Sequence, residues 1–224
     1  NYDIGKDLLY LTTENRLVYN QSIKDDHKLL LSGIFQTSDK TTSTYSSRSA
    51  NTASSGITSP IAGSTTAKGG SGKTINRDMG LTLNGQYIFK EKYMFNAGYR
   101  WEASSAMDAS GRWGGFPTFG VAWHLGDEEF IQRLGFISLI KLRYSWGQSG
   151  NAPTGTSPYI GKFSAVTPGY GDMSAVKPES PDLTHLKYET ITSNNIGVDV
   201  GLFSDRITFA VELYTKVTDD MLQK

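Results

Sequence analysis

Apolar and polar positions alternate along much of this chain with a period of two. In the stretch 93–102, Tyr93, Phe95, Ala97, Tyr99 and Trp101 fall on one side, and Met94, Asn96, Gly98, Arg100 and Glu102 on the other. Successive side chains of a β-strand point to opposite faces, so this pattern predicts a strand with one apolar and one polar face. Other stretches repeat it. Met79, Leu81, Leu83, Tyr87 and Phe89 oppose Gly80, Thr82, Asn84 and Gln86. Ile140, Leu142, Tyr144 and Trp146 oppose Lys141, Arg143, Ser145 and Gly147. Ile207, Phe209, Val211 and Leu213 oppose Thr208, Glu212, Tyr214 and Lys216. A further stretch is apolar on one side only in its second half, at Ile196, Val198, Val200 and Leu202. The pattern predicts strands at about 7–20, 27–38, 75–89, 93–106, 116–125, 136–148, 187–202 and 207–218.

The connections alternate as well. Those at 21–26, 90–92 and 203–206 are short and carry turn residues, such as Lys24-Asp25-Asp26 and Ser204-Asp205-Arg206. The one at 126–135 has room for a single helical turn. Longer segments lie between them at 39–74, 107–115 and 149–186. Aromatic residues mark the two ends of the apolar face at 93–101, as in the aromatic girdles of transmembrane β-barrels. Eight residues at about 3.3 Å each span roughly 26 Å, or about 20 Å when tilted by ~40°, close to the ~25 Å apolar band of such barrels. The predicted fold is therefore an all-β, antiparallel transmembrane barrel, with its long loops at one rim. In a compact soluble domain, loops as long as 39–74 and 149–186 argue against the assignment; at a barrel mouth they are ordinary.

Composition narrows the function classes. The 224 residues carry a formal net charge of zero, so there is no electrostatic footprint for nucleic acid. The absence of cysteine excludes disulfides, thiolate catalysis and Cys-ligated metals. No run approaches ~18 consecutive apolar residues, which excludes a spanning helix and is neutral for a barrel. Asn1-Tyr2-Asp3-Ile4-Gly5 has neither the basic start nor the apolar core of a signal peptide. The expectation is that the chain begins inside a longer protein.

Candidate chemistry is sparse. His27, His124 and His185 lie far apart and lack ligand spacing, so no metal or other cofactor is expected. Glu128-Glu129 reads as a solvated charged turn. Gly69-Gly70-Ser71-Gly72-Lys73-Thr74 ends like a phosphate-binding loop but lacks the first glycine and the preceding apolar strand. No Gly-x-Ser-x-Gly elbow occurs, and no nucleophile, base and orienting group can be assembled, so no enzyme is expected. The Ser-, Thr- and Gly-rich loop 39–74 cannot bury a core of its own. Trp113, Tyr159 and Tyr170 are the aromatics of the long loops. Either they pack within those loops or they contact ligand or a capping protein.

Four ordered segments carry a family resemblance. Gly111-Arg112-Trp113-Gly114-Gly115-Phe116-Pro117-Thr118, continuing to Ala122-Trp123-His124-Leu125, resembles the "R-W-G-x-F-P-S … W-R" segment of SusC-like TonB-dependent transporters. Ile140-Lys141-Leu142-Arg143-Tyr144-Ser145-Trp146-Gly147-Gln148-Ser149-Gly150-Asn151 is similar to "L-K-L-R-x-S-Y-G-x-T-G-N". Pro181-Asp182-Leu183 with Leu186-Lys187-Tyr188-Glu189-Thr190 is similar to "N-P-D-L-K-W-E-T", with Thr184-His185 inserted and Tyr188 in place of Trp. Asn195-Ile196-Gly197-Val198-Asp199-Val200-Gly201-Leu202-Phe203, and then Asp205-Arg206-Ile207 through Thr218-Asp219-Asp220-Met221-Leu222, resemble "N-I-G-L-D-F-G-L-F-N-N-R-I … Y-Y-K-K-T-x-D-L-L". As a set the segments are specific; residues 1–110 match only in strand pattern.

The resemblance implies an outer-membrane importer of oligosaccharides or oligopeptides in a Gram-negative bacterium, with a barrel of twenty-two strands. It also implies an amino-terminal plug, energy from TonB, a SusD-like surface lipoprotein as lid, and pairing of two such complexes. Residues 1–224 would be the middle of that barrel domain, without plug, TonB box or last strands. The alternatives are a passive porin or barrel-anchored adhesin, and an outer-membrane protease or lipase. Lipid-facing positions would be Phe95, Tyr99, Leu142, Tyr144, Val198, Phe209 and Val211. Lumen-facing positions would be Met94, Arg100, Lys141, Arg143, Asp199 and Glu212. Glycines 147, 197 and 201 would make room for neighbours or bend their strand. Eight strands alone close around a lumen filled by side chains. Arg100, Lys141, Arg143, Glu212, Tyr214 and Lys216 are too bulky and charged for that, so the first and last strands should pair with strands outside this sequence.

Overall fold

The computed structural model describes residues 2–24, 26–48, 68–153, 158–166, 175–183 and 186–221. Ten strands make up most of it: β1 (Tyr2–Ile23), β2 (His27–Arg48), β3 (Lys68–Phe89), β4 (Tyr93–Ser104), β5 (Trp113–His124), β6 (Ile137–Asn151), β7 (Lys162–Val166), β8 (Ala175–Ser180), β9 (Glu189–Leu202) and β10 (Ile207–Asp219). Between β5 and β6 lie a 3-10 turn at Leu125–Asp127 and a single helical turn, α1 (Glu129–Gln132). Among the described residues no helix is long and apolar enough to cross a membrane.

Eight strands form one sheet in the order β1-β2-β3-β4-β5-β6-β9-β10, with β1 and β10 at its edges. These are the eight strands that the alternation predicts. β7 and β8 make a separate two-stranded sheet inside the segment that joins β6 to β9. The pairs β4–β5, β5–β6, β6–β9 and β9–β10 are all antiparallel. Turns 90–92, 125–136 and 203–206 therefore share one end of the sheet, and connection 105–112, the end of β6 and the start of β9 share the other.

The turns are tight at some conformational cost. Lys90 and Glu91 both have positive φ, 51° and 60°, and the Lys92 amide donates to the Phe89 carbonyl at 3.0 Å. Two central residues with φ > 0 give the turn twist that suits a two-residue hairpin, which Asn-Gly usually supplies. Here the strand ladders on either side hold two ordinary side chains in that conformation.

Three predicted loops change. Residues 39–48 belong to β2 and 68–74 to β3, so all of the described part of the predicted loop 39–74 is strand. Backbone pairing needs no apolar side chains, and Thr suits a strand. β5 begins at Trp113, which shortens the predicted loop 107–115 to 105–112. β6 runs on to Asn151, and the hairpin β7–β8 occupies part of the predicted loop 149–186.

The chain packs as two units, 1–13 with 37–78, and 14–36 with 79–224. The first is held by polar cross-strand bonds. Arg77 Nε donates to Asp39 Oδ2 at 2.8 Å, and Thr44 Oγ1 to the Gly72 carbonyl at 3.4 Å. The second contains a small buried cluster, Met107, Phe116 and Tyr188, with Ala152 and Leu186 against it. The Phe116 and Tyr188 rings meet edge to face at 5.7 Å, and the Tyr188 hydroxyl donates to the Arg112 carbonyl at 3.0 Å. Phe116 lies over a strand position without a side chain: a Cβ at Gly150 would stand 1.9 Å from its ring. Phe116, Gly150 and Tyr188 come from three different segments of the resemblance, and they meet at the end of the sheet that carries the long connections.

Gly150→Ala should therefore displace the Phe116 ring and destabilise the protein by roughly 1–3 kcal/mol, the usual penalty of overpacking. Tyr188→Phe should cost about 1 kcal/mol, one hydrogen bond. Denaturant midpoints of the full-length protein check both, and an unchanged midpoint for Gly150→Ala would mean that Phe116 is not packed on that strand.

Candidate functional site

The register divides the second unit into two chemically distinct faces. Tyr93, Trp123, Leu142, Val198 and Val211 stand opposite one another across five strands. The next row on the same face is Phe95, Val121, Tyr144, Ile196 and Leu213. This face is largely uncovered, with Val211 54% exposed. A contiguous apolar surface of this extent marks contact with another apolar phase or partner. Phe95, Tyr99, Leu142, Tyr144, Val198, Phe209 and Val211 all lie on it.

At the short-turn end the face finishes in a ladder of rings. His27 and Phe89 are 4.9 Å apart, Phe89 and Tyr93 6.1 Å, and Tyr93 and Trp123 6.0 Å. Glu128 ties the ladder down. Its carboxylate accepts from the Tyr93 hydroxyl at 2.8 Å, the Trp123 indole N–H at 3.2 Å and Lys92 Nζ at 3.4 Å. Its side chain is only 19% exposed, which corrects the sequence reading of Glu128 as a solvated turn residue. The reason is that β4 and β5 set Tyr93 directly opposite Trp123, and the turn after β5 folds Glu128 back onto both polar tips. At the other end, Tyr99 and Trp101 pack at 4.2 Å.

The opposite face is polar. Its rows are Met94, Ala122, Arg143, Gly197 and Glu212, then Asn96, Gly120, Ser145, Asn195 and Tyr214, then Gly98, Thr118, Gly147, Ser193 and Lys216. Met94, Arg100, Lys141, Arg143, Asp199 and Glu212 share it. Glycines decide its relief. A Cβ at Gly197 would stand 2.8 Å from the Arg143 guanidinium carbon, so the missing side chain lets Arg143 cross β9. Arg143 donates twice to Asp199, at 3.1 and 3.2 Å, and once to Glu212 on β10 at 2.9 Å. Asn195 donates to the same Glu212 oxygen at 2.7 Å. Likewise, a Cβ at Gly98 would meet Asn84 Oδ1 at 2.5 Å, and one at Gly120 would meet Asn96 Oδ1 at 2.2 Å. These amides lie flat against the sheet. A concavity of about 610 Å³ runs over them, lined by Ser32, Asn84, Gln86, Asn96, Thr118 and Ser145 among others.

The loop aromatics are not brought together. Trp113 opens β5, directly opposite Ala103, on the apolar face and 60% exposed. Tyr159 is half-buried beside β7, and its carbonyl accepts from the Leu183 amide at 3.0 Å. Tyr170 lies outside the described residues. Gly197 makes room for a neighbour, as expected of it, and the neighbour is Arg143. Sequence reasoning missed the roles of Glu128 and Asn195. Their roles depend on which residue stands across the strand, which only the register supplies.

The hydrogen bond from Tyr93, then that from Trp123, holds the Glu128 carboxyl below the usual carboxylate range, against the opposing effect of burial. A lowered folded-state value means that this anchor stabilises fully above the ordinary glutamate range and is lost as pH falls through the lowered value. Trp123 emission should thus shift on acidification in wild type, and Glu128→Gln should abolish the shift. A wild-type shift that persists in the variant would detach Glu128 from the ladder. On the polar face, Gly197→Val should force Arg143 off Glu212. A double-mutant cycle on Arg143 and Glu212 should show coupling in the wild-type background and none once Gly197→Val is added; equal coupling in both would exclude the crossing geometry.

A chain of this pattern can line a polar passage on one side and meet an apolar phase on the other. Comparison with known proteins agrees. The profile of the family described as TonB dependent receptor-like, beta-barrel matches residues 2–224. The chain is similar to TonB-dependent receptor P39 of Formosa agariphila, with 33% identity over 138 residues, covering 61% of this chain and 13% of the relative. It is also similar to TonB-dependent receptor SusC of Bacteroides thetaiotaomicron, with 31% identity over 148 residues, covering 61% of this chain and 14% of the relative. In fold it is similar to the RagAB peptide transporter, with a TM-score of 0.88 and 19% identity over 99% of this chain and 25% of that one. The chain thus spans a small part of the length of its relatives. With its two-faced antiparallel sheet and the match over nearly all of its length, this chain belongs to the TonB-dependent receptor β-barrel family.

Proposed function

We propose that this chain forms part of the barrel wall of an outer-membrane importer, energised through TonB, that takes up oligosaccharides or oligopeptides in a Gram-negative bacterium. The observation that carries the reading is the two-faced sheet. Its apolar face, ending in the ladder of His27, Phe89, Tyr93 and Trp123, has the layout of a lipid-facing band with an aromatic girdle. Its polar face, with Arg143, Asp199 and Glu212 paired among themselves, has the layout of a water-filled lumen wall. Phe95, Tyr99, Leu142, Tyr144, Val198, Phe209 and Val211 then face lipid. Arg100, Lys141, Arg143, Asp199 and Glu212 face the lumen. No covalent step is assigned to it.

A SusD-like lipoprotein closes the long-loop rim in this reading. The hairpin β7–β8 offers it a surface: Phe163 and Val176 are 69% and 73% exposed, and the pairs Phe163–Pro178 and Ala165–Val176 share one face. An isolated two-stranded hairpin is at best marginally stable in water, so an apolar face of this kind gains from being covered. Tyr159 beside it, and Tyr170, which lies between β7 and β8 in sequence, are the aromatic candidates. Trp113, at the opposite end of the apolar face from Tyr93, suits the second girdle better than a lid contact.

Val211→Arg should destabilise the full-length barrel by roughly 2–4 kcal/mol if the site lies near mid-bilayer. An unchanged unfolding midpoint would remove the lipid assignment. For function, uptake of the transported nutrient is measured in cells with normal barrel levels. Deleting TonB should abolish uptake, and removing 162–180 should slow it and loosen co-purification of the lipoprotein. Uptake that survives loss of TonB would identify a passive pore, and an intact complex without the hairpin would move the lid contact elsewhere.

A further inference from the structure

The apolar face is not uniformly ridged. Gly33 on β2, Gly85 on β3 and Ala97 on β4 leave it almost bare over three neighbouring strands. A furrow of about 700 Å³ results, lined almost wholly by apolar atoms and walled by Leu17, Tyr19, Leu31, Leu83 and Tyr99. Its volume lies within the ~300–1,000 Å³ range of ligand sites. The glycines keep it open. A Cβ at Gly33 would touch Leu83 Cδ2 at 3.5 Å, and one at Gly85 would touch Leu31 Cδ2 at 3.3 Å, so larger side chains would project into the furrow rather than clash with backbone.

We propose that this furrow is a binding site for a single lipid acyl chain, seated more tightly than the lipid around the rest of the barrel. Depth selects the occupant. The ring ladder at His27, Phe89 and Tyr93 sits at the short-turn end of the apolar face. Gly85 and Ala97 are four residues from that ladder and Gly33 is six. At about 3.3 Å per residue and ~40° of tilt this places the furrow roughly 10–15 Å beyond the girdle, near the middle of a ~25 Å apolar band. A lipid head group cannot reach that depth, whereas the chain of a lipid anchored at either interface can. The walls supply branched aliphatic side chains and the flanks of two tyrosines, with no charged group, which matches a hydrocarbon chain better than a polar ligand. A chain lying in the recess touches wall atoms on both sides, and dispersion contacts over such a length add up where a ridged surface gives only one-sided contact.

The inference rests on the outer face being lipid-facing, and the experiment separates the two. Full-length protein is reconstituted into vesicles of phosphatidylethanolamine and phosphatidylglycerol. A fraction of the phosphatidylethanolamine is spin-labelled near the methyl end of one chain. Electron paramagnetic resonance then counts motionally restricted lipid per protein. Gly33→Leu, and Ala97→Leu as a second variant should the first fail to fold, fill the furrow; Phe209→Leu alters the same face outside it. Wild type and Phe209→Leu should restrict one more lipid per protein than either filled variant. Equal counts in all four, in a protein whose Val211→Arg variant is destabilised as expected, would overturn the acyl-chain site while leaving the lipid-facing band in place. A Val211→Arg variant of unchanged stability would instead remove the band itself. If a filled variant restricts as much lipid as wild type but dissociates an oligomer, the furrow takes a protein surface and the proposal is overturned.

Discussion

The register that sets Arg143 opposite Gly197 and Leu142 opposite Val198 is the constraint on which both faces of this sheet depend. Side chains alternate with a period of two, so sliding one strand by a single residue would turn every apolar position of that strand onto the polar face. Backbone hydrogen bonds alone do not choose among registers, because any offset pairs N–H with C=O. The choice falls to side chains: apolar rows gather on one face, and Arg143, Asp199 and Glu212 close an ion-pair network on the other. Each face thereby holds the other in place.

Glycine gives the polar face its character. Without a Cβ at Gly197, Gly98 and Gly120, long polar side chains on neighbouring strands lie against the sheet instead of standing up from it. The face is therefore low in relief, and the carboxylates of Asp199 and Glu212 are bound by Arg143. The same absence of side chains does something different on the apolar face, where Gly33 and Gly85 open a furrow among leucines. Position on the strand, odd or even, decides which of these roles a glycine has.

The ends of the sheet are fastened by unlike means. At the short-turn end, rings stack in a ladder and one carboxylate, Glu128, holds two of their polar tips. At the long-loop end, a small apolar cluster forms around Phe116 and Tyr188, and it is built from segments far apart in sequence. Between these ends the sheet has little core of its own, because its strands lie side by side in one layer and bury little among themselves. Most of its large apolar side chains remain uncovered for this reason.

Much of the architecture was legible in the sequence, because alternation is a local property: Phe95, Leu142 and Phe209 declare their face through their immediate neighbours, whatever lies across the strand. All eight strands of the main sheet follow from it; their sequential order follows from the alternating lengths of the connections, and the segment 126–135 had room for the single helical turn after β5. The ends of β2 and β3 did not, since Thr- and Ser-rich strand and Thr- and Ser-rich loop share one composition and only pairing separates them. Glu128 could not be told from a solvated turn residue until Tyr93 and Trp123 were set opposite each other. Gly197 could not be seen as the gap through which Arg143 reaches Glu212. Sequence by itself thus determined the two faces and the family. Tertiary structure decided which side chains meet, because residues 35 to 69 positions apart become neighbours only through strand register, which no local pattern encodes.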